Sequence, residues 1–145
     1  MTHKLVKNII FIIPFVFFLG ILSAETSVDI NKNIKEIVKK VVSSQLKAFK
    51  EENIEEAFSF AAPNIKKQFL NPENFGLMVR NGYPVIWSPK SYQFVKFSTN
   101  GKRSIQRVIF KSDTDALLTY DYLLENFSGV WRISGVMQVS KEDNI

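Results

Sequence analysis

The chain has 145 residues and a formal net charge of +5, with no cysteine and a single histidine, His3. His3 lies in a segment that has the features of an export signal, so the remaining domain contains neither cysteine nor histidine. This composition excludes Ser-His-Asp and Cys-His catalysis, and it excludes zinc sites made of thiolates and imidazoles. The lysines and arginines are scattered rather than clustered beside stacking aromatic residues, which argues against nucleic-acid binding.

The N-terminal residues 1–24 are predicted to be a signal peptide. A short basic start precedes an uncharged apolar run from Ile9 to Leu22, and a cleavage point follows Ala24. The run is short for a membrane span, and the alternative is an uncleaved anchor that would hold the protein at the membrane. We therefore expect residues 25–145 to form a single domain that is periplasmic or secreted and has no disulfides to support it.

The first half of this domain is predicted to be helical. Apolar residues at helical spacing predict one amphipathic helix over roughly residues 30–50, followed by a shorter helix that ends near Pro63. Residues 64–70 are expected to form a further turn. A third helix is expected to begin at Asn71-Pro72, with asparagine as N-cap and proline in the first turn, and to end at Gly82.

Gln45 lies on the apolar stripe of the first helix, and its position permits two interpretations. It either lies at the edge of the helix or is a buried amide. A buried amide must hydrogen-bond a loop or a strand, because an unpaired one would cost a few kcal/mol.

The second half is predicted to be a meander of antiparallel strands. The strands are expected over 92–99, 103–111, 115–125 and 130–140. Asn100-Gly101, between the first two strands, is the strongest hairpin signal in the chain.

The last hairpin allows a register to be predicted from a turn centred between Phe127 and Ser128. One face of this hairpin is then the core face, on which Tyr120 covers Gly135 as a structural contact. The pairs on that face are Leu124 with Trp131, Tyr122 with Ile133, Tyr120 with Gly135 and Leu118 with Met137. Asp121 is expected on the outer face as a surface ion pair with the diagonal Arg132.

The facing of the second strand depends on the length of the turn over residues 112–115. A two-residue turn directs Arg107 inward together with Tyr92 and Phe94, whereas a three-residue turn directs Gln106 inward together with Val95 and Val108. The sequence leaves both possibilities open.

The order of elements resembles the cone-shaped nuclear transport factor 2-like fold, which the SnoaL-like and ketosteroid-isomerase-like proteins share. More specifically, the segments QLKAF (45–49), AFSFAAPNIKKQF (57–69), FGLMVRNGYP (75–84) and GVWRISG (129–135) resemble the bacterial family called domain of unknown function 4864. This resemblance implies an α+β fold in which N-terminal helices pack on a curved antiparallel meander. It implies no activity, because the family has none assigned.

In proteins of this fold a cavity can open between the sheet and the helices, and five residues are candidates to line a ligand site here: Arg80, Tyr83, Trp87, Gln45 and Tyr120. The arginine beside two aromatic residues suits an anionic or planar group. The competing interpretation is that the aromatic residues only cap the core and that Arg80 is solvated.

Two classes of function follow from these candidates. The favoured class is an exported, non-catalytic domain that binds a small apolar or anionic ligand or a protein partner, with no cofactor and no metal. The alternative is a small cofactor-free isomerase or dehydratase, which needs a carboxylate base in an apolar cavity. No acidic residue is convincingly placed on the core face, so no catalytic residue is assigned. A homodimer through the outer face of the sheet, with Leu117, Leu123 and Val136, is also allowed.

Overall fold

The computed structural model describes residues 22–140, with side chains described from residue 27 onward. Apart from residues 22–24, the proposed signal peptide lies outside this range, and its cleavage stays a prediction. Within the described residues, no helix combines the length and the apolar character needed to span a bilayer.

Five helices precede the sheet, and they agree with the predicted order. The long first helix includes the predicted span and begins earlier, while the short fifth helix was not predicted. Their bounds are α1 Leu22–Lys50, α2 Ile54–Ser59, α3 Pro63–Phe69, α4 Pro72–Gly82 and α5 Pro84–Trp87.

The fourth helix begins as its sequence predicts. The Asn71 side chain accepts a hydrogen bond from the backbone N–H of Asn74 at 2.8 Å, and Pro72 occupies the first turn. One turn later Gly76 permits a close approach of α2, because a Cβ atom at this position would lie 2.8 Å from the Ile54 side chain. Local capping and this small residue therefore place α4 directly against α2.

Four antiparallel strands form a single sheet in the order β1-β2-β3-β4, so the predicted α+β class is confirmed. The strands are β1 Ser91–Thr99, β2 Arg103–Lys111, β3 Leu117–Phe127 and β4 Val130–Gln138. The helices cover one face of the sheet, and the largest fully buried hydrophobic side chains lie between the two layers: Val38, Val42, Phe49, Val108, Phe110, Tyr122 and Leu124.

The predicted register of the last hairpin is wrong by two residues. Leu124 pairs with Ile133 instead of Trp131, because the turn is centred on Ser128-Gly129. These two residues have φ values of 52° and 91°, the left-handed pair that suits the twist of a two-residue hairpin. A shift by two positions keeps the facing of every side chain, so Leu124, Tyr122 and Ile133 are still buried.

An irregularity in β4 overturns the remaining pairs of that prediction. Between Leu123 and Leu124 the register shifts, so Gly135 lies opposite Leu123 and Tyr120 lies opposite Gln138. The extra residue reverses the alternation along β4. As a result Met137, expected in the core, is 55% exposed. For the same reason Val136, expected on the outer face, lies opposite Tyr122 on the inner face and packs against the core.

The structure decides the facing of β2 in favour of Gln106, which is 1% exposed, with Val108 beside it in the core. Val95, expected to accompany them, is 45% exposed because β1 has a bulge between Phe94 and Phe97.

Arg107 lies on the outer face and binds Asp121 with two hydrogen bonds of 2.8 Å. The predicted ion pair between Asp121 and Arg132 is therefore wrong. The Arg132 guanidinium instead donates to the Ser59 carbonyl oxygen at 2.9 Å.

The linker between α2 and α3 pairs with the edge strand β4. Ala62 donates to the Ile133 carbonyl oxygen at 2.8 Å, and the Ile133 N–H donates to Phe60 at 2.9 Å. This parallel bridge covers part of an edge that would otherwise present free backbone groups. It also holds the helical layer at a fixed position over β4, next to the cavity described below.

Candidate functional site

A cavity of about 490 Å³ lies between the helical layer and the sheet. Its helical wall is formed mainly by Phe49, Ile65, Phe69, Phe75, Met78 and Val79. Its opposite wall comes from β3 and β4 and consists of Tyr122, Ile133, Gly135 and Val136. The site is therefore built from elements that the chain brings together only on folding.

Aromatic rings give the helical wall its shape. Phe75 of α4 lies at the centre of the group, with ring centroids 5.9 Å from Phe49, 5.3 Å from Phe58 and 5.8 Å from Phe69. Tilted and edge-on contacts at these distances are favourable beyond the area they bury. The wall is consequently apolar and rigidly packed.

Gln45 is one of the few polar residues in the lining, and the structure decides that it is buried, with 3% exposure. Its Nε2 donates to the Ala57 carbonyl oxygen at 3.2 Å. Since a backbone carbonyl can only accept, this contact determines which way the amide is turned. The Gln45 carbonyl oxygen accepts no hydrogen bond from the described residues.

Tyr122 lines the cavity from the sheet side and is completely buried. Its hydroxyl group has no hydrogen-bond partner among the described residues. Burial, followed by the nearby Tyr120 and Tyr92, raises the pKa of Tyr122 far above its usual range. The hydroxyl group is therefore neutral at physiological pH, and it is enclosed by the protein.

Gln106 lies directly opposite Tyr122 on the neighbouring strand, outside the cavity lining. Its Nε2 donates to the carbonyl oxygens of Lys96 at 3.1 Å and Arg107 at 2.9 Å, which satisfies backbone groups beside the β1 bulge. Its own carbonyl oxygen is buried without a partner in the described part of the chain. Two adjacent inward-facing residues thus retain unused hydrogen-bonding capacity, which is rare in protein interiors.

The five residues proposed from sequence do not all reach the cavity. Gln45 and Tyr83 line it, whereas Arg80, Trp87 and Tyr120 lie outside the lining. Tyr83, inside the lining, contacts Tyr120, outside it, with their ring centroids 6.0 Å apart.

Arg80 and Trp87 form a contact of their own at the surface. The Arg80 guanidinium carbon lies 4.4 Å from the centroid of the Trp87 ring, and its Nη2 lies 3.4 Å from the Glu52 carboxylate. Trp87 is buried, while the Arg80 side chain is 48% exposed. A binding role for this pair stays a prediction.

Sequence reasoning missed Tyr122 and Gln68 as lining residues. The sequence pattern already placed Tyr122 on the core face. Its predicted burial was a usable signal, because a buried tyrosine hydroxyl group needs a hydrogen-bond partner. Gln68 gave no such signal, since it lies in a short polar helix.

The chemistry of the lining is limited by its composition. None of the residues that line the cavity in the described chain is Asp, Glu, Lys, Arg or His. In residues 22–140 no cluster of three or more His, Cys, Asp or Glu side chains is arranged to hold a metal ion. The lining offers apolar surface and the polar side chains of Gln45, Gln68 and Tyr83, while the Tyr122 hydroxyl group is enclosed.

Comparison with known proteins supports the family resemblance found in the sequence. No curated protein shows significant similarity to this chain. The family described as "Domain of unknown function (DUF4864)" matches residues 31–145, which include most of α1 and every later helix and strand. The chain therefore belongs to the DUF4864 family.

Proposed function

We propose that this domain binds a small, mainly apolar molecule in the cavity between the helices and the sheet. The observation that carries the proposal is an apolar cavity of about 490 Å³ bordered by two buried polar side chains, Gln45 and Tyr122, with unused hydrogen-bonding capacity. Ligand sites typically have volumes of about 300–1,000 Å³ and combine apolar walls with a few polar groups.

The apolar lining itself favours an occupant. A ligand that covers side chains such as Phe49, Phe69, Phe75 and Met78 gains free energy in proportion to the apolar surface that leaves water.

Binding is favoured over catalysis by the same lining. An isomerase or dehydratase of the kind considered above needs a carboxylate base next to its substrate. The lining in the described residues contains no carboxylate, and Asp121 is on the outer face, where it binds Arg107. A buried tyrosine alone can polarise a bound group but does not remove a proton from carbon at neutral pH.

Native mass spectrometry of the full chain purified from its own source tests the proposal directly. We expect a retained small molecule that is released on denaturation. Nile red, an uncharged apolar dye whose fluorescence rises in apolar surroundings, provides an independent measurement of affinity.

Two neighbouring substitutions on β4 show whether the dye enters the cavity. Val136→Phe fills space on the inner face, and we expect it to weaken Nile red binding by about tenfold or more, the effect of about 1.4 kcal/mol. Met137→Phe places the same side chain on the outer face and should leave binding unchanged. Equal effects of the two variants, or no bound molecule and no dye binding, would contradict the proposal.

We also propose that the protein is exported and that its fold is a member of the nuclear transport factor 2-like group. The basic start and apolar run of residues 1–24 support export. N-terminal sequencing of the periplasmic or secreted protein should begin near Glu25. Full-length protein in the cytosolic fraction would contradict export, while retention of Met1 in the membrane fraction would indicate an anchor.

The helices followed by an antiparallel meander support the fold relationship, and superposition of an experimental structure on members of that group tests it.

A further inference from the structure

From the chemistry of the cavity wall, we infer that the ligand is an uncharged, ring-bearing molecule whose hydroxyl or N–H group donates a hydrogen bond to the side-chain carbonyl oxygen of Gln45. This inference rests on the proposed binding function and specifies its ligand class. It differs from the expectation of an anionic ligand, which depended on Arg80.

The first step is the charge of the ligand. The lining in the described residues has no ionisable side chain other than the tyrosines, and Arg80 is outside it, engaged with Trp87 and Glu52. A charged group that leaves water for an apolar site without a counter-charge meets a large desolvation cost. The cavity therefore selects neutral molecules.

The second step is the orientation of Gln45. Its Nε2 is held by the Ala57 carbonyl oxygen, so the amide cannot turn without breaking that bond. The opposite end of the amide is an acceptor that has no partner in the described chain. Gln45 lines the cavity, and its oxygen, unlike the sealed Tyr122 hydroxyl group, is not among the fully enclosed unpaired atoms. A ligand must supply a donor to satisfy it.

The third step is the shape of the ligand. Phe49, Phe69 and Phe75 from three different helices provide aromatic surface in the lining. Ring edges and faces in this arrangement favour a planar ring over a flexible chain, because a ring loses less conformational entropy on binding. A phenol-like or alcohol-bearing cyclic molecule meets all three requirements.

Four naphthalene probes with one skeleton test these requirements. The donor is 2-naphthol; 2-methylnaphthalene has a similar shape without a polar group; 2-methoxynaphthalene accepts but does not donate; and 2-naphthoate is charged. We expect 2-naphthol to bind about 3- to 10-fold more tightly than 2-methylnaphthalene, the range of one net hydrogen bond, which already includes the loss of hydrogen bonds to water. We expect 2-methoxynaphthalene to behave as 2-methylnaphthalene does, and 2-naphthoate to bind more than tenfold more weakly than 2-naphthol.

Substitution of Gln45 assigns the effect to one atom. Gln45→Met keeps the length of the side chain and removes the acceptor, so the ratio of the 2-naphthol and 2-methylnaphthalene affinities should fall to about one. Gln68→Met removes the other amide of the lining, from an exposed position on α3, and should leave the ratio unchanged. Circular dichroism establishes that both variants are folded, and the probe series on the unsubstituted chain gives a result even if Gln45→Met does not fold.

The outcomes separate this inference from the proposed function. Equal affinities of 2-naphthol, 2-methylnaphthalene and 2-methoxynaphthalene, or a ratio that depends on Gln68 rather than Gln45, would overturn the inference. Tight binding of 2-naphthoate, or a charged molecule retained in native mass spectrometry, would overturn it as well. In each case Nile red binding that is lost in Val136→Phe and kept in Met137→Phe leaves the binding function standing. If neither the dye nor any naphthalene binds, both fail.

Discussion

Polar side chains are paired on the outer face of the sheet and partly unpaired on the inner face, although the residues concerned are neighbours along the same strands. On the outer face Arg107 and Asp121 satisfy each other through two short hydrogen bonds. On the inner face the adjacent pair, Gln106 and Tyr122, keeps one unpartnered polar atom each. Polar groups on the outer face are thus paired within the chain, whereas the two unpaired groups of the core carry a desolvation cost that nothing in the described chain offsets.

Substitution of neighbouring leucines on β3 should give the largest difference between the faces. Leu124 points inward and is fully buried, while Leu123 points outward and is only partly buried. We expect Leu124→Ala to lower the free energy of unfolding by about 3–4 kcal/mol, through lost burial and the cavity it leaves. Leu123→Ala should cost less than half as much. Urea denaturation of both variants measures the difference.

Equal losses in the free energy of unfolding for the two leucine substitutions would contradict the difference between the two faces. They would mean that the outer face is covered in solution, as it would be in a homodimer through the sheet. Sedimentation velocity of the unsubstituted chain would then identify the dimer.

Loss of the outer-face ion pair should have the next largest effect. The Arg107 and Asp121 side chains are 20% and 16% exposed, so solvent screens their attraction only in part. Asp121→Asn should lower the free energy of unfolding by about 1.5–3 kcal/mol, the range for hydrogen bonds to charged groups. Asp113→Asn, in the exposed turn before β3, is the matched control and should stay within about 0.5 kcal/mol. An unchanged midpoint for Asp121→Asn would show that the pair contributes no net stability.

Gln45 provides an intermediate case on the inner side, with its donor paired and its acceptor free. Gln45→Leu should lower the free energy of unfolding by about 1–3 kcal/mol, because the Ala57 carbonyl oxygen loses its side-chain donor in a buried position. Gln68→Leu, at an exposed position, should be nearly neutral. Thermal denaturation of the two variants decides the point, and equal midpoints would refute the importance of the Gln45 contact.

Tyr122→Phe should cost no stability at neutral pH and should raise the free energy of unfolding by about 1 kcal/mol, because it removes a buried hydroxyl group that has no partner in the described chain. A loss of more than about 1 kcal/mol would show that a bound water or ligand satisfies this group.

At alkaline pH the stability of Tyr122→Phe should differ more from that of the unsubstituted protein. Burial raises the pKa of Tyr122, so the folded protein keeps a proton that the unfolded chain loses near about pH 10. Its contribution to stability is complete below that pH and declines as the pH rises above it. Tyr122→Phe should therefore show a shallower loss of stability above about pH 10, as measured by urea denaturation over a pH series. Identical slopes would contradict the assignment.

Local signals in the sequence determined the elements and their limits. Asn71-Pro72 sets the start of α4, and Asn100-Gly101 sets the first hairpin, because capping and turn geometry depend on a few adjacent residues. Alternation along β3 likewise placed Tyr122 and Leu124 in the core. The α+β class followed from the same patterns, whereas the family came from the resemblance of four longer segments.

Only the tertiary structure decided how these elements meet. The Ser128-Gly129 turn and the irregularity in β4 set which residues of the last hairpin are opposite each other, and they moved Val136 into the cavity wall. The bulge in β1 left Val95 exposed, and the connection before β3 brought Gln106 inward and left Arg107 to bind Asp121. Gln45 was placed in the core by its bond to Ala57, a contact between two helices. A single inserted residue reverses the facing of a strand at small energetic cost, and the partner of a buried amide lies elsewhere in the chain, so neither is encoded in the local pattern.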